Sequence, residues 1–234
     1  MRHFGLLGYP LGHSFSKGFF SQACLYDNFE YRNVEDFIAN IPPDLEGFNV
    51  TIPHKQNIIP YLDEIDPAAA QVGAVNCVKI TPQRRLVGYN TDIVGFEESL
   101  SLMLCGQRPE ALVLGSGGAA HAVWYVLRKM GIEFRTVSRS SPELNYLNLS
   151  GDTIAQSLLL VNTTPLGMVP QVDKKADIDY CKITKNHYLY DLIYNPSQTA
   201  FLREGRVRGA RVKNGLQMLH LQALAAAQIW DLSV

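Results

Sequence analysis

The stretch ALVLGSGGAAHAVWYVLRKMG, residues 111–131, restricts the fold of this 234-residue chain more than any other. An apolar run of strand length enters a group of glycines and leaves it as an amphipathic helix, and EFRTVS behind it reads as a second strand. Strand, helix, strand in that order is a βαβ unit, whose crossover requires the two strands to be parallel. The turn carries the spacing Gly115-x-Gly117-x-x-Ala120. Gly115 permits a tight turn, Gly117 lets backbone approach a bulky anion, and small Ala120 lets the helix pack close to the strand.

That turn, between a strand and a helix, is the context a dinucleotide fingerprint requires, and the free N–H groups at the helix start suit a pyrophosphate. The next strand ends in Ser138-Arg139-Ser140. An acid at this place takes the ribose hydroxyl of NAD, whereas an arginine takes the 2'-phosphate of NADP. The sequence therefore favours NADP, with NAD as the alternative cofactor. A solvated arginine on a loop is the competing reading of Arg139.

The first half repeats the α/β alternation. Strands are expected at His3 to Gly8 and Glu46 to Thr51, helices at Phe15 to Tyr26 and at Pro53 to Leu62 with proline in the first turn. Val75 to Ile80 and Arg85 to Gly88 read as an antiparallel pair, and Asp92 to Leu104 as a helix ending before Gly106 and Pro109. Further strands are expected at Leu158 to Asn162 and His187 to Leu192, with helices at Ser197 to Glu204 and from Gly215 onward. Ser140 to Gly151, rich in serine and asparagine, reads as a loop. The class is α/β with mainly parallel sheets, and the length suits two modest domains.

Composition narrows the function. Apolar residues at 47% and charged residues at 18% describe a chain that buries its own core, and a net charge of -1 leaves no basic field for nucleic acid or an anionic membrane. Cys24, Cys77, Cys105 and Cys181 form no Cys-x-x-Cys pair, and the six histidines are dispersed, so no metal site is expected. A Gly-Tyr-Pro turn interrupts the N-terminus too early for a signal peptide, and no run of about 18 apolar residues occurs. The expected location is the cytoplasm.

Small polar residues recur at expected strand ends and turns: Ser14 and Ser16, Asn49 and Thr51, Asn76, and Asn90 with Asp92. Ligands of parallel α/β sheets sit beyond the carboxyl ends of the strands, so these residues suit one polyol cleft. Each also has a plainer reading, as a helix cap or a bend residue. Lys55 is placed in the first turn of the expected Pro53 helix, where the macrodipole disfavours a cation and lowers its pKa. Beside a carboxylate such as Asp92, such a lysine exchanges a proton with a substrate hydroxyl or carbonyl. The alternative is a solvated lysine.

The blocks GYPLGHSFS, NVTIPHK, GAVN, YNTDIVGF, LGSGGAA, NTTPLGM, DLIYNP and NGLQMLHLQ, in this order from end to end, resemble the shikimate dehydrogenase family. The resemblance implies NADP-dependent reduction of 3-dehydroshikimate in aromatic amino acid biosynthesis. Residue by residue it implies that Ser14 and Ser16 bind the substrate carboxylate. Thr51, Asn76 and Gln222 hold the hydroxyls, Tyr194 borders the pocket, and Lys55 and Asp92 form the catalytic pair. Gly115, Ser116, Gly117, Gly118 and Ala119 would cradle the pyrophosphate, and Ser138 and Arg139 the adenosine phosphate. Leu192 and Gly215 would take the nicotinamide end, with Asn162 and Thr163 nearby. The implied fold has a substrate-binding domain of residues 1–92 and 215–234 and a Rossmann-type NADP-binding domain of residues 93–214, the C-terminal helix returning to the first domain. The expected partners are the small-molecule substrate and, as monomer or homodimer, a second copy of the chain.

The chain departs from the family's pattern at three points. Lys17 follows the second serine where proline is usual, Glu143 follows Ser138-Arg139-Ser140 without a second basic residue, and the segment from Arg139 to Asn162 is short, which implies that one helix is trimmed or absent. Two rival readings stand beside this one: a quinate or dual quinate/shikimate dehydrogenase using NAD, and a non-catalytic shikimate- or nucleotide-binding regulator. Intact Lys55 and Asp92 argue against the regulator, which has no need of a proton-transfer pair.

Overall fold

His3–Gly8 is buried along its whole length, as a strand covered on both faces must be. In a computed structural model, which describes residues 1–12 and 15–234, this strand, β1, lies inside a six-stranded sheet. The chain divides into two units, Met1–Val94 with Leu221–Val234, and Gly95–His220.

The first unit adds β2 (Leu25–Glu30), β3 (Leu45–Val50), β4 (Glu64–Ile65), β5 (Cys77–Ile80) and β6 (Leu86–Tyr89), in sheet order β2-β1-β3-β5-β6-β4. Helices α1 (Phe15–Phe20), α2 (Val34–Ile38) and α3 (Pro67–Val72) connect strands, and α4 (Thr91–Leu104) follows β6. The period of two along each strand sends alternate side chains to opposite faces. Leu7, Phe37, Phe48, Ile58 and Val78 fill one face, and Phe4, Phe20, Tyr26, Cys77 and Trp230 the other.

The second unit is a five-stranded parallel sheet of β7 (Ala111–Leu114), β8 (Phe134–Val137), β9 (Leu159–Asn162), β10 (Tyr188–Asp191) and β11 (Arg211–Lys213), in the order β11-β10-β9-β7-β8. Helices α5 (Gly118–Lys129), α6 (Gly151–Gln156) and α7 (Ala200–Val207) connect its strands. The last helix, α8 (Leu216–Ile229), begins in this unit and ends in the first. The α/β class, the Rossmann-type sheet and the returning C-terminal helix follow the expectation from sequence.

Two expected helices differ. Phe15 to Tyr26 is not one helix: it stops at Phe20, and Leu25 opens β2, whose Tyr26 is buried against the core. Pro53 to Leu62 forms turns and a short 3-10 segment at Ile59–Tyr61. A proline near a first turn serves a turn as well as a helix, and Pro60, with no N–H, cannot sit inside a helix. Lys55 therefore has no helix terminus beneath it, and no dipole from a helix of its own acts on its ammonium.

Trp230, fully buried near the end of the chain, secures the last segment to the first unit. Its ring stacks on Phe4 at 4.7 Å between centroids, and its Nε1 donates to the Val78 carbonyl at 3.0 Å. A Cβ on Gly47 would lie 2.5 Å from that Nε1 and 2.8 Å from the Val78 oxygen, so only glycine lets the indole seat. Gly47→Ala should lower unfolding free energy by about 1–3 kcal/mol, the usual cost of overpacking. Equilibrium denaturation in urea checks this, and an unchanged midpoint would mean that Trp230 has another way to sit.

Candidate active site

The reversal of direction at β5 assembles the polar edge of the first unit. β3 runs parallel to β1, but β5 is antiparallel to β3 and β6 is antiparallel to β5. The end of β3, the start of β5 and the end of β6 consequently share one edge. The residues there are Asn49 and Thr51, Asn76, and Asn90 through Asp92.

Backbone bonds hold that edge. Thr51 N donates to the Leu7 oxygen at 2.9 Å, Val50 N to the Asn76 oxygen at 2.9 Å, and Val75 N to the Lys55 oxygen at 2.8 Å. The last of these fixes Lys55 without a helix. Its Nζ donates to Asp92 Oδ2 at 2.7 Å, with the two side chains 28% and 18% exposed, so the pair is sheltered but reachable by a small molecule. Asp92 comes to this place because α4 starts at Thr91, right after β6.

Behind the pair runs a buried hydrogen-bond network. Asn76 Oδ1 accepts from Thr91 N at 2.7 Å and from Thr91 Oγ1 at 3.2 Å, and the same hydroxyl lies 3.3 Å from Gln222 Oε1. The structure thus joins Asn76, Thr91 and Gln222 from distant parts of the sequence. Asn49 donates to the Asn76 carbonyl at 3.2 Å and accepts from the Tyr26 hydroxyl at 2.7 Å. Burial pushes the Tyr26 phenol well above its ordinary pKa, while a hydrogen bond with Ser16 pulls the other way. Ser16 is therefore tied to this network through Tyr26. Ser14 lies outside the described residues. Tyr194 belongs to the second unit, where it is exposed in the segment after β10.

Sequence reasoning missed Tyr26 and Thr91. Tyr26 carried no signal, since it closed a supposed helix. Thr91 stood in the open between two residues already singled out, Asn90 and Asp92.

In the second unit the strand order turns around at β7. β8 lies on one side of it and β9 on the other, which leaves a crevice beyond the carboxyl ends of β7 and β9. Gly115, the first residue after β7, sits at that crevice with φ 108°, a conformation that favours glycine, and a Cβ there would lie 2.7 Å from Thr163 Oγ1. A Cβ on Gly117 or Gly118 would meet nothing within 4 Å. Gly117, the N-cap of α5, has no side chain to cap it, so the first N–H groups of that 12-residue helix are left without a side-chain acceptor. This open, capless cradle fits a dinucleotide pyrophosphate.

The other expected cofactor residues surround the same end of the sheet. Ser138 is buried just after β8, and Arg139 beside it is exposed with no hydrogen bond or ion pair among the described residues. A Cβ on Gly215 would fall 2.0 Å from the Leu192 oxygen, so these two backbones touch in a way only glycine allows. Asn162 Nδ2 donates to Asp191 Oδ1 at 3.0 Å. Asp191, fully buried, stands within the block DLIYNP but has no role from sequence; the signal was an acid closing the otherwise apolar and aromatic strand YLYD. Burial pushes its carboxyl up to about 6, against the pull of hydrogen bonds from Thr199, Ile193 and Asn162.

Residues 6–78 match the family described as the shikimate dehydrogenase substrate binding domain. A shikimate dehydrogenase (NADP(+)) of Desulforamulus reducens is 36% identical over 97% of this chain and 88% of its own length. The chain belongs to the shikimate dehydrogenase family. The shikimate 5-dehydrogenase of Thermus thermophilus, solved in complex with NADP(H) and shikimate, superposes with TM-score 0.87 at 30% identity over 98% of this chain and 93% of that one. A quinate dehydrogenase of Corynebacterium glutamicum, in complex with NAD, superposes with TM-score 0.88 at 25% identity over 97% and 93%.

The burial of Asp191 has a consequence for stability against pH. Its folded-state pKa stands above the unfolded value of 3.8 and reaches about 6, so its contribution to stability is greatest below pH 3.8 and is lost as pH rises through 6. A rise of that size corresponds to about 3 kcal/mol. Compared with Asp191→Asn, the wild type should lose stability by up to about that amount between about pH 4 and 6, and stay level above. Denaturation of both proteins across this range measures it; a wild type that gains on the variant would show that the hydrogen bonds outweigh burial.

Proposed function

We propose that this protein is an NADP-dependent shikimate dehydrogenase that catalyses the reversible reduction of 3-dehydroshikimate to shikimate, a step of aromatic amino acid biosynthesis. The observation that carries the reading is the bond from Lys55 to Asp92 on an edge shared with Thr51, Asn76 and Gln222. The first unit is the substrate-binding domain and the second the NADP-binding domain. No helix among the described residues is long and apolar enough to cross a membrane. The reading puts the enzyme in the cytoplasm as a monomer or homodimer, acting on a small molecule and on neither nucleic acid nor membrane.

The residues divide the work by chemistry. Ser14 and Ser16 bind the substrate carboxylate, and Thr51, Asn76 and Gln222 hold its hydroxyls. Lys55 Nζ gives a proton to the carbonyl oxygen during reduction and takes it back from the hydroxyl in the reverse direction. Asp92 Oδ2 orients that ammonium and accepts from the same hydroxyl. In the second unit Gly115 to Ala119 hold the pyrophosphate, Ser138 and Arg139 the adenosine phosphate, and Leu192 and Gly215 the nicotinamide end, with Asn162 and Thr163 nearby. NADP, when bound, supplies the hydride.

Initial rates with shikimate and quinate, each with NADP and NAD, test the reading. Shikimate with NADP should be the fastest pair. Quinate with NAD ahead would favour the rival that the Corynebacterium neighbour suggests, and binding without turnover would favour a regulator. Lys55→Met should lower kcat by about a hundredfold to ten-thousandfold, with NADP affinity close to wild type. Lys55→Arg should not rescue it, because a guanidinium does not readily give up a proton.

Arg139 is exposed and makes no hydrogen bond or ion pair among the described residues, so its charge is available to a phosphate. Arg139→Ala should weaken NADP binding by about 1.5–3 kcal/mol, as for the loss of a charge-assisted hydrogen bond, and leave NAD unaffected. Titration calorimetry with both cofactors reads this, and an equal loss for the two would refute the assignment.

A further inference from the structure

Asp191 closes β10 next to the last residue of β9, in register with Asn162, which is in turn in register with Leu114 at the end of β7. It therefore sits at the carboxyl edge of the sheet, close to the crevice, yet it is fully buried and faces no solvent. Such a carboxylate is expensive to bury unless every acceptor site is used. Here Oδ1 accepts from Asn162 Nδ2 at 3.0 Å and Ile193 N at 3.1 Å, and Oδ2 accepts from Thr199 Oγ1 at 2.6 Å.

Each donor governs a different segment. Because Asn162 spends Nδ2 on Asp191, its Oδ1 turns to Thr164 and accepts from that residue's N at 3.1 Å and Oγ1 at 2.7 Å. That fixes the chain on both sides of Thr163, whose Oγ1 lies where a side chain on Gly115 would be. Ile193 N–H, held by the same oxygen, sets the backbone against which Gly215 seats, for Gly215 N donates to the Ile193 oxygen at 3.0 Å. Thr199 accepts from Leu202 N at 3.3 Å and so caps α7 with the oxygen whose proton goes to Asp191.

We infer that Asp191 is the positioning residue for the nicotinamide end of the cofactor: one carboxylate, accepting from Asn162, Ile193 and Thr199, sets Asn162, Thr163, Leu192 and Gly215 relative to one another. The inference rests on the NADP reading above. Only a side chain that accepts on both atoms serves this purpose. In Asp191→Asn one atom becomes a donor and faces either Asn162 Nδ2 and the Ile193 N–H, or a Thr199 hydroxyl left without an acceptor. Flipping Asn162 to compensate would break its bonds to Thr164.

The test uses Asp191→Asn at pH 8, titrated with NADPH and with 2',5'-ADP, a fragment that lacks the nicotinamide end. NADPH binding should weaken by about tenfold, as for loss of a hydrogen bond to a charged group, while 2',5'-ADP stays within about twofold. kcat should fall with the KM for shikimate little changed. Equal weakening for the fragment would mean a general loss of fold, and equal NADPH binding by variant and wild type would mean no positioning role; either overturns the inference. A wild type that does not bind NADPH removes the functional reading along with it. Should the variant not fold, hydrogen exchange of the wild type with and without NADPH decides. Joint protection of residues 162–166 and 191–202 is expected, and protection confined to residues 115–120 overturns the inference.

Discussion

Polar groups that are buried have to be paired, and in this protein that requirement shapes both sheet edges where ligands are proposed to bind. An amide or hydroxyl placed at the mouth of a sheet offers specificity only if its unused atoms are already satisfied by protein. Asn76 meets this demand by accepting from Thr91, and Asn162 by donating to Asp191 and to the Leu166 carbonyl and accepting from Thr164. In both cases one partner, Thr91 or Asp191, comes from a neighbouring strand end. The orientation of each amide is therefore written into the topology of its sheet.

The two units meet the requirement differently. The first uses neutral groups, a tyrosine, a threonine and amides, and keeps the ion pair of Lys55 with Asp92 partly open to solvent. The second buries a bare carboxylate and surrounds it with three donors. A neutral network adapts to a substrate that itself gives and takes hydrogen bonds. A charged acceptor is stiffer, and it stands where backbone segments with no side-chain chemistry of their own must be kept in place.

What the sequence reveals follows the range of the forces involved. The β7 turn and α5 are legible because tight strand-to-helix turns and amphipathic helices are local matters, settled within about twenty residues. Asp92 is legible for the same reason, since it stands in the first turn of a helix that follows directly on a strand. The path from Pro53 to Leu62 was misread because proline marks a turn and a helix start alike, and the partners that decide, Val75 for the Lys55 carbonyl and Tyr31 for the ring of His54, come from other parts of the chain. β2 was missed for want of alternation: only Tyr26 of its six residues is buried. The short α6 and β11 leave too few residues for any period to show. Gln222 carries a role only through the resemblance, and so does the part Ser14 and Ser16 take toward the carboxylate, because nothing local tells a ligand-binding serine from a cap.

Trp230 on Gly47 bears on the order in which the chain is made. The first unit is drawn from both ends of this sequence, while the entire second unit is synthesised between them. The second sheet, with all of its strands in one stretch, can close while translation continues. The first must wait with a gap beside Phe4 and Gly47 until the indole arrives, so its core stays open while the whole second unit is made. A chain halted before residue 230 would be expected to present one finished unit and one still open to chaperones and proteases.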